Sequence, residues 1–163
     1  SAIPVQPVGG DSCIHGERRM IRQATPGDIP ALVTLGARMH AESRFAVLAY
    51  NPEKAGRTLA HVLETGFLWV ATDDDRIVGG MAAMCVPHWC SDDAVAMDLA
   101  LFVEPESRGG MAAARLVTRY KEWAAKQGAV MIDMGVNTGV HVEQTTSLLE
   151  RLGFKRCGVI LES

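Results

Sequence analysis

The sequence predicts an α/β (α+β) domain in which a mixed, mostly antiparallel central sheet of six or seven strands is flanked by about four helices. Three patterns predict it. Two stretches of helical apolar spacing near the N-terminus each follow a cap-then-proline signal; short apolar runs separated by turn residues then occupy 67–103; a long amphipathic stretch finally lies between two apolar runs. With 163 residues, 48% of them hydrophobic, one core burying roughly 70% of the unfolded surface is expected.

Residues 1–19 mix Pro, Gly, Ser and charge without periodicity and are expected to be a flexible extension, leaving 20–163 as a single domain. Apolar-polar alternation from Met20 to Ala24 predicts a first strand. Thr25-Pro26-Gly27-Asp28 supplies a cap, an N1 proline and an acid, so a helix begins at Pro26 and runs on Ile29, Leu32, Val33, Leu35 and Met39 to about Ala41. Asn51-Pro52-Glu53 repeats the signal for a second helix to about Glu64, ended by Gly66. Phe67 to Thr72 and Arg76 to Val86 form a hairpin about Asp73-Asp74-Asp75, and Ala94 to Val103 is apolar enough to be a strand covered on both faces. The stripe Ala113, Leu116, Val117, Tyr120 and Trp123 or Ala124 marks a helix ended by Gly128. Val130 to Met134 then returns as a parallel strand. Leu148, Leu149 and Leu152 give a shorter helix stopped by Gly153, and Phe154 to Leu161 a closing strand or strand pair.

The net charge of −3 carries no electrostatic footprint for nucleic acid or an anionic membrane, so a small-molecule partner is favoured. No apolar run has the length of a membrane span, and no signal-peptide pattern opens the chain. Cytoplasmic residence is the expectation. The cysteines at 13, 85, 90 and 157 form no C-x-x-C pair and are expected to be free thiols. Cys85, His88 and Cys90 invite a zinc reading, but Pro87 and Trp89 interleave them and no fourth ligand of matching spacing follows; no metal is expected.

The chemistry is concentrated in Val103 to Ala113, Val-Glu-Pro-Glu-Ser-Arg-Gly-Gly-Met-Ala-Ala. A strand that stops at a proline, turns through Arg-Gly-Gly and restarts as a helix points several backbone N–H groups into one concavity, which favours an anion. Arg108 adds positive charge there, and the small residues beyond it let a ligand approach the backbone. A phosphate-bearing cofactor follows. The turn lacks the Lys-Ser/Thr of a P-loop and the acidic spacing of a dinucleotide fingerprint, which argues against an NTPase.

The stretch Val103-x-Pro105-x-x-Arg108-Gly109-Gly110-x-x-Ala113, with Leu148-Leu149-Glu150-Arg151-Leu152-Gly153-Phe154, resembles the two signatures of the GNAT superfamily of acyl-CoA N-acyltransferases, and the predicted element order resembles it from Met20 onward. That resemblance implies transfer of an acyl group, most simply acetyl from acetyl-CoA, to a primary amine of a small molecule or peptide by direct attack. It implies that the backbone of Leu101, Phe102 and Val103 pairs with the pantetheine arm, and that Gly109, Gly110, Met111, Ala112 and Ala113 hold the pyrophosphate. Two positions depart from the pattern. Met111 stands where the family has a glycine of its phosphate turn, and Leu149 where it often has a tyrosine acid; the family's asparagine falls on Val142, so Asn137 takes no such role.

Asp98, an acid inside an apolar strand, is the candidate catalytic residue, as a base or as an anchor for the substrate ammonium; the alternative is an acid paired at a strand edge. Glu42, Ser43 and Tyr50, within a cluster that includes His40 and Arg44, are candidates for the acceptor site. The competing reading is an inactive acyl-CoA-binding sensor or structural module, which the missing tyrosine allows. A homodimer is left open.

Overall fold

The structure, a computed structural model, describes residues 19–163; the expected extension before Arg19 lies outside them. The order is β1 (Arg19–Gln23), α1 (Ile29–Glu42), α2 (Pro52–Thr65), β2 (Phe67–Asp73), β3 (Arg76–Pro87), β4 (Ala94–Val103), α3 (Ala112–Lys126), β5 (Met131–Asp133) and α4 (Val142–Arg151). The strands line up as β1-β2-β3-β4-β5, with the first three pairings antiparallel and β4–β5 parallel. The mixed, mostly antiparallel sheet flanked by four α-helices is therefore present.

The described sheet has five strands, not six or seven, because no strand forms over Phe154–Leu161. Gly153, at φ 92°, turns the chain back at the end of α4, where the Phe154 N–H donates to the Leu149 carbonyl at 3.0 Å. Arg156 then grips Glu150 at 2.9 Å and Glu143 at 3.3 Å, so the chain follows the helix instead of the sheet. The edge it would have joined, β5, offers only three residues. Val159, Ile160 and Leu161 consequently lie 87%, 62% and 89% exposed.

Period-2 alternation in β2 sends Phe67 and Ala71 to one face of the sheet and Leu68 and Val70 to the other. On the first face α3 buries Leu116, Val117, Tyr120 and Ala124 completely. On the second, Leu32 of α1 and Val62 of α2 cover Leu68, Val70 and Ala82. Each large apolar side chain so enclosed stabilises the fold by about 1.5–3 kcal/mol.

In β4 this cover stops early. Val95 and Ala96 are buried, but Met97 and Leu99 are 38% and 47% exposed, so the strand is not covered on both faces along its length. The ladder to β5 joins only Val95–Met97 to Met131–Asp133, whereas the ladder to β3 continues to Val103. A register irregularity opposite Ala82 and Ala83 leaves Leu99 without a partner, and such a bulge increases local twist. Beyond Met97, therefore, β4 and β5 part, and apolar residues expected in a core line an opening.

The N-terminal corner is held by one carboxylate. Asp28 accepts from Arg22 Nη1 and Nη2 at 2.7 and 3.0 Å, and from the Thr25 N–H and hydroxyl at 2.7 and 3.0 Å. The Arg22 hydrogen bonds lead in holding its pKa down to about 2, against the ordinary 3.8. Because the folded-state pKa is depressed, the stabilisation is complete above the ordinary value and is lost as pH falls through about 2. Asp28→Asn is expected to lower stability by about 1–2 kcal/mol at pH 7 and to make no difference near pH 2, as denaturant midpoints at both pH values will show.

Candidate active site

The parting of β4 from β5 opens a cleft of about 700 Å³. One wall is Asp98–Val103 of β4, another the segment Met134–Thr138 that follows β5, and the floor the turn into α3; Gln144, Thr145 and Leu148 of α4 close the far side. Asp98 stands at the apex. Its Oδ1 accepts the Gly135 N–H at 2.7 Å, just past the last paired residues of both strands. Burial raises its pKa, the Gly135 hydrogen bond partly opposes this, and the charge of Asp133 adds to it.

The turn that forms the floor is tied down by a buried acid. Glu104, 4% exposed, meets Arg76 at 2.6 Å and Arg38 at 3.4 Å, and accepts from the Ser107 hydroxyl at 3.1 Å. Arg108 is engaged as well: Nε donates to the Val103 carbonyl at 2.8 Å, Nη2 pairs with Glu42 at 2.8 Å, and the guanidinium lies 5.1 Å from the Phe102 ring centre. Its charge thus clamps the turn to the end of α1. Gly109 has φ 87°, a conformation that needs glycine, and the Arg19 guanidinium packs against Gly110. Arg19 is a cation at the turn that reading the sequence assigns to the terminal extension.

The N-terminus of α3 lacks a side-chain cap. Met111 occupies the N-cap position without a capping hydrogen bond, and the earliest backbone bond of the helix runs from Arg115 N–H to the Met111 carbonyl at 2.9 Å. The amides of Ala112, Ala113 and Ala114 are thus not consumed by the helix. Such a terminus favours an anion by about 0.3–1 kcal/mol, and by up to about 2 when partly buried.

The three candidates for acceptor recognition do not converge. Glu42 and Ser43 line the cleft, Glu42 as the partner of Arg108 and Ser43 as a buried residue whose hydroxyl donates to the His40 carbonyl at 3.0 Å and accepts from the Phe45 N–H at 3.2 Å. Tyr50 lies in a second cavity, of about 550 Å³, between α1, α2 and the sheet. Its hydroxyl donates to the Val33 carbonyl at 2.8 Å, and burial raises its pKa. Met39, Phe45, Leu99, Ala100 and Phe102 belong to both cavities, which therefore adjoin.

Several contributors carry no sequence signal. The 3₁₀ turn Arg44–Val47 is fastened across the cleft by Arg44, whose Nε donates to the Asn137 carbonyl at 2.6 Å and whose N–H donates to the Thr138 carbonyl at 2.9 Å. Asn137 takes part through its backbone. His141, at the start of α4, has φ 48°, which costs a non-glycine residue of order 1 kcal/mol or more. On the loop between β3 and β4, His88 Nδ1 lies 3.1 Å from Cys90 Sγ, and no group of three metal-ligating side chains occurs among the described residues.

A family model described as an acetyltransferase (GNAT) domain matches residues 64–156, more than half of the chain, from the end of α2 to just beyond α4. The chain belongs to the GNAT acetyltransferase family. Among solved structures, a CoA complex of the aminoglycoside N-acetyltransferase AAC(6')-Iy is 16% identical, with 92% of this chain and 96% of that one covered at a TM-score of 0.74. A transcriptional regulator from Bacillus halodurans is 23% identical over 89% and 98% of the two chains, TM-score 0.70. A predicted acetyltransferase with acetyl-CoA from Clostridium acetobutylicum is 18% identical over 89% and 95%, TM-score 0.70. These likenesses establish the fold. No curated protein sequence matches significantly.

In this GNAT domain the position of the frequent family tyrosine, Leu149, lies 4% exposed in the core beside α3, and the α4 residues that line the cleft are Gln144, Thr145, Leu148 and Arg151. Substituting Met111, itself 68% exposed at the uncapped terminus, tests the floor directly. Met111→Asp is expected to leave the fold intact and to raise the CoA dissociation constant at least about tenfold, with a steeper loss at low salt. An unchanged constant by calorimetry would remove the turn as the phosphate site.

Proposed function

We propose that this GNAT domain is an N-acyltransferase, most directly an N-acetyltransferase, that moves an acyl group from acyl-CoA to a primary amine by direct attack. The observation that carries the reading is the opening between β4 and β5, which leads onto the uncapped start of α3. The exposed edge of β4 at Leu101 and Phe102 would pair with the pantetheine arm as a further strand; at Val103 the carbonyl is already taken by Arg108. The amides from Gly109 to Ala113 would hold the pyrophosphate, with Arg19 adding charge beside Gly110. Acetyl-CoA supplies a thioester carbonyl: the N–C bond forms, the C–S bond breaks, and the products are an amide, free CoA thiol and a proton.

An aliphatic ammonium must lose its proton before it attacks. Asp98 is suited to receive that proton or to anchor the ammonium, since its burial holds the carboxyl pKa above the ordinary 3.8 and the residue lines the cleft. No tyrosine serves the departing thiolate. With a pKa near 8.5, roughly, a thiolate leaves tolerably without one, and the cleft is open enough for water to protonate it. Leu149 in the core is also what favours the second reading, a module that binds acyl-CoA without turnover. Release of CoA thiol from acetyl-CoA across a panel of amines and peptides tests the proposal; tight CoA binding with no release from any acceptor would establish the second reading.

Asp98→Asn preserves the acceptor for the Gly135 N–H. A carboxyl whose folded pKa is raised destabilises the fold as pH climbs through that pKa, so at pH 7 the variant is expected to be at least as stable as the parent. Its turnover is expected to fall at least about a hundredfold, with acetyl-CoA affinity within about twofold. Equal turnover would take Asp98 out of the chemistry.

A further inference from the structure

Charge and hydrocarbon are segregated between the two adjoining cavities. Among the described residues, the carboxylates that line either one, Glu42 and Asp98, both belong to the cleft, and none lines the cavity between α1, α2 and the sheet. Leu32 and Leu35 of α1, Leu59 of α2 and Leu68 of β2 form the body of that cavity. Of its polar side chains, Tyr50 donates to the Val33 carbonyl and Asn51 accepts the Lys54 N–H at 2.9 Å; Lys54 is the one lysine or arginine in the lining. Leu48 and Leu99 line it as well, 60% and 47% exposed, so apolar surface in its wall stays open to solvent. Leu99 is also the residue that the irregularity between β3 and β4 leaves unpaired, and with Ala100 and Phe102 it belongs to both cavities. The bulge in β4 therefore lies on the wall between them.

We infer that this cavity receives the acyl chain of the donor, so that the cleft takes unbranched acyl-CoA thioesters of medium chain length besides acetyl-CoA and binds them more tightly. The inference rests on the acyl-CoA reading of the cleft and concerns only the chain that the thioester carries. With the pantetheine arm along Leu101 and Phe102 and the carbonyl near Asp98, the alkyl chain leaves the cleft past Leu99 and Ala100 into the leucine-lined space. An acetyl group brings a single methyl and leaves those leucines wet. Each further methylene that exchanges water for them tightens binding by up to about fourfold. An amine is the poorer occupant, since its ammonium would lose water with no carboxylate to receive it and with Lys54 in the wall. The cleft side, where Asp98 stands, is left to the acceptor.

The test uses the full chain and calorimetry with CoA and with acetyl-, butyryl-, hexanoyl- and octanoyl-CoA. Affinity is expected to climb along the series, octanoyl-CoA binding at least about a hundredfold tighter than acetyl-CoA. Leu48→Asp puts a charge in the lining at an exposed position, so its melting temperature should match the parent's while the octanoyl-to-acetyl affinity ratio falls at least about tenfold. Ala55→Trp, which fills the cavity from α2, should lower the same ratio by shortening the longest chain that gains. Affinity that stays level or falls as the chain lengthens, with CoA and acetyl-CoA still bound, would overturn the inference and leave the acyl-CoA reading standing. A rising series that neither substitution alters would put the chain elsewhere and overturn it too. Binding of none of these compounds would overturn the acyl-CoA reading, and the inference with it.

Discussion

The molecule depends on the point at which two parallel neighbours stop being neighbours. β4 and β5 share only three residue pairs, after which Leu99 bulges and Asp98 reaches across to the Gly135 amide. A continuous ladder would satisfy the backbone but leave no room for a ligand. Separation with no bridge would leave the Gly135 amide, an exposed group, to solvent and the two segments untied. One side-chain acceptor at the apex satisfies the Gly135 amide, two residues past the ladder, where the strands part.

Ion pairs drawn from distant parts of the chain stiffen the rest of the cleft. Glu104 gathers Arg38 from α1 and Arg76 from β3 onto the turn before α3, Arg108 ties that turn to Glu42, and Arg44 ties the turn after α1 to the segment after β5. Isolated surface pairs contribute little, but Glu104 is nearly enclosed and takes Arg76, Arg38 and the Ser107 hydroxyl at once, so its carboxylate is buried with partners. Arg44 also pairs with Glu162, so the last residues are drawn toward the same rim.

Much of this was legible in the residues. The 3₁₀ turn at Pro26–Asp28 that leads into α1, the start of α2 at Pro52, the hairpin about the aspartate triplet and the ends of α3 and α4 at glycines all follow from local rules, because proline, glycine and capping residues restrict the backbone wherever they stand. The turn before α3 was legible for the same reason: Gly109, at φ 87°, adopts a conformation that needs glycine, so the bend shows in the residues. The closing strand was not. An apolar run such as Val159–Leu161 says only that it is able to pair, and pairing needs an edge whose length is decided elsewhere.

By itself, then, the sequence determined the order of elements, the family signatures and the location of the glycine turn before α3, since each depends on residues close together along the chain. Tertiary structure alone decided that Arg108 spends its charge on Glu42, that Arg19 arrives beside Gly110, that Tyr50 is parted from Glu42 and Ser43, and that His40 Nε2 is buried without a hydrogen-bond partner among the described residues. Those outcomes follow from competition among groups brought together from far apart. Which partner a side chain takes depends on what the fold places within about 3 Å of it, and no local pattern encodes that distance.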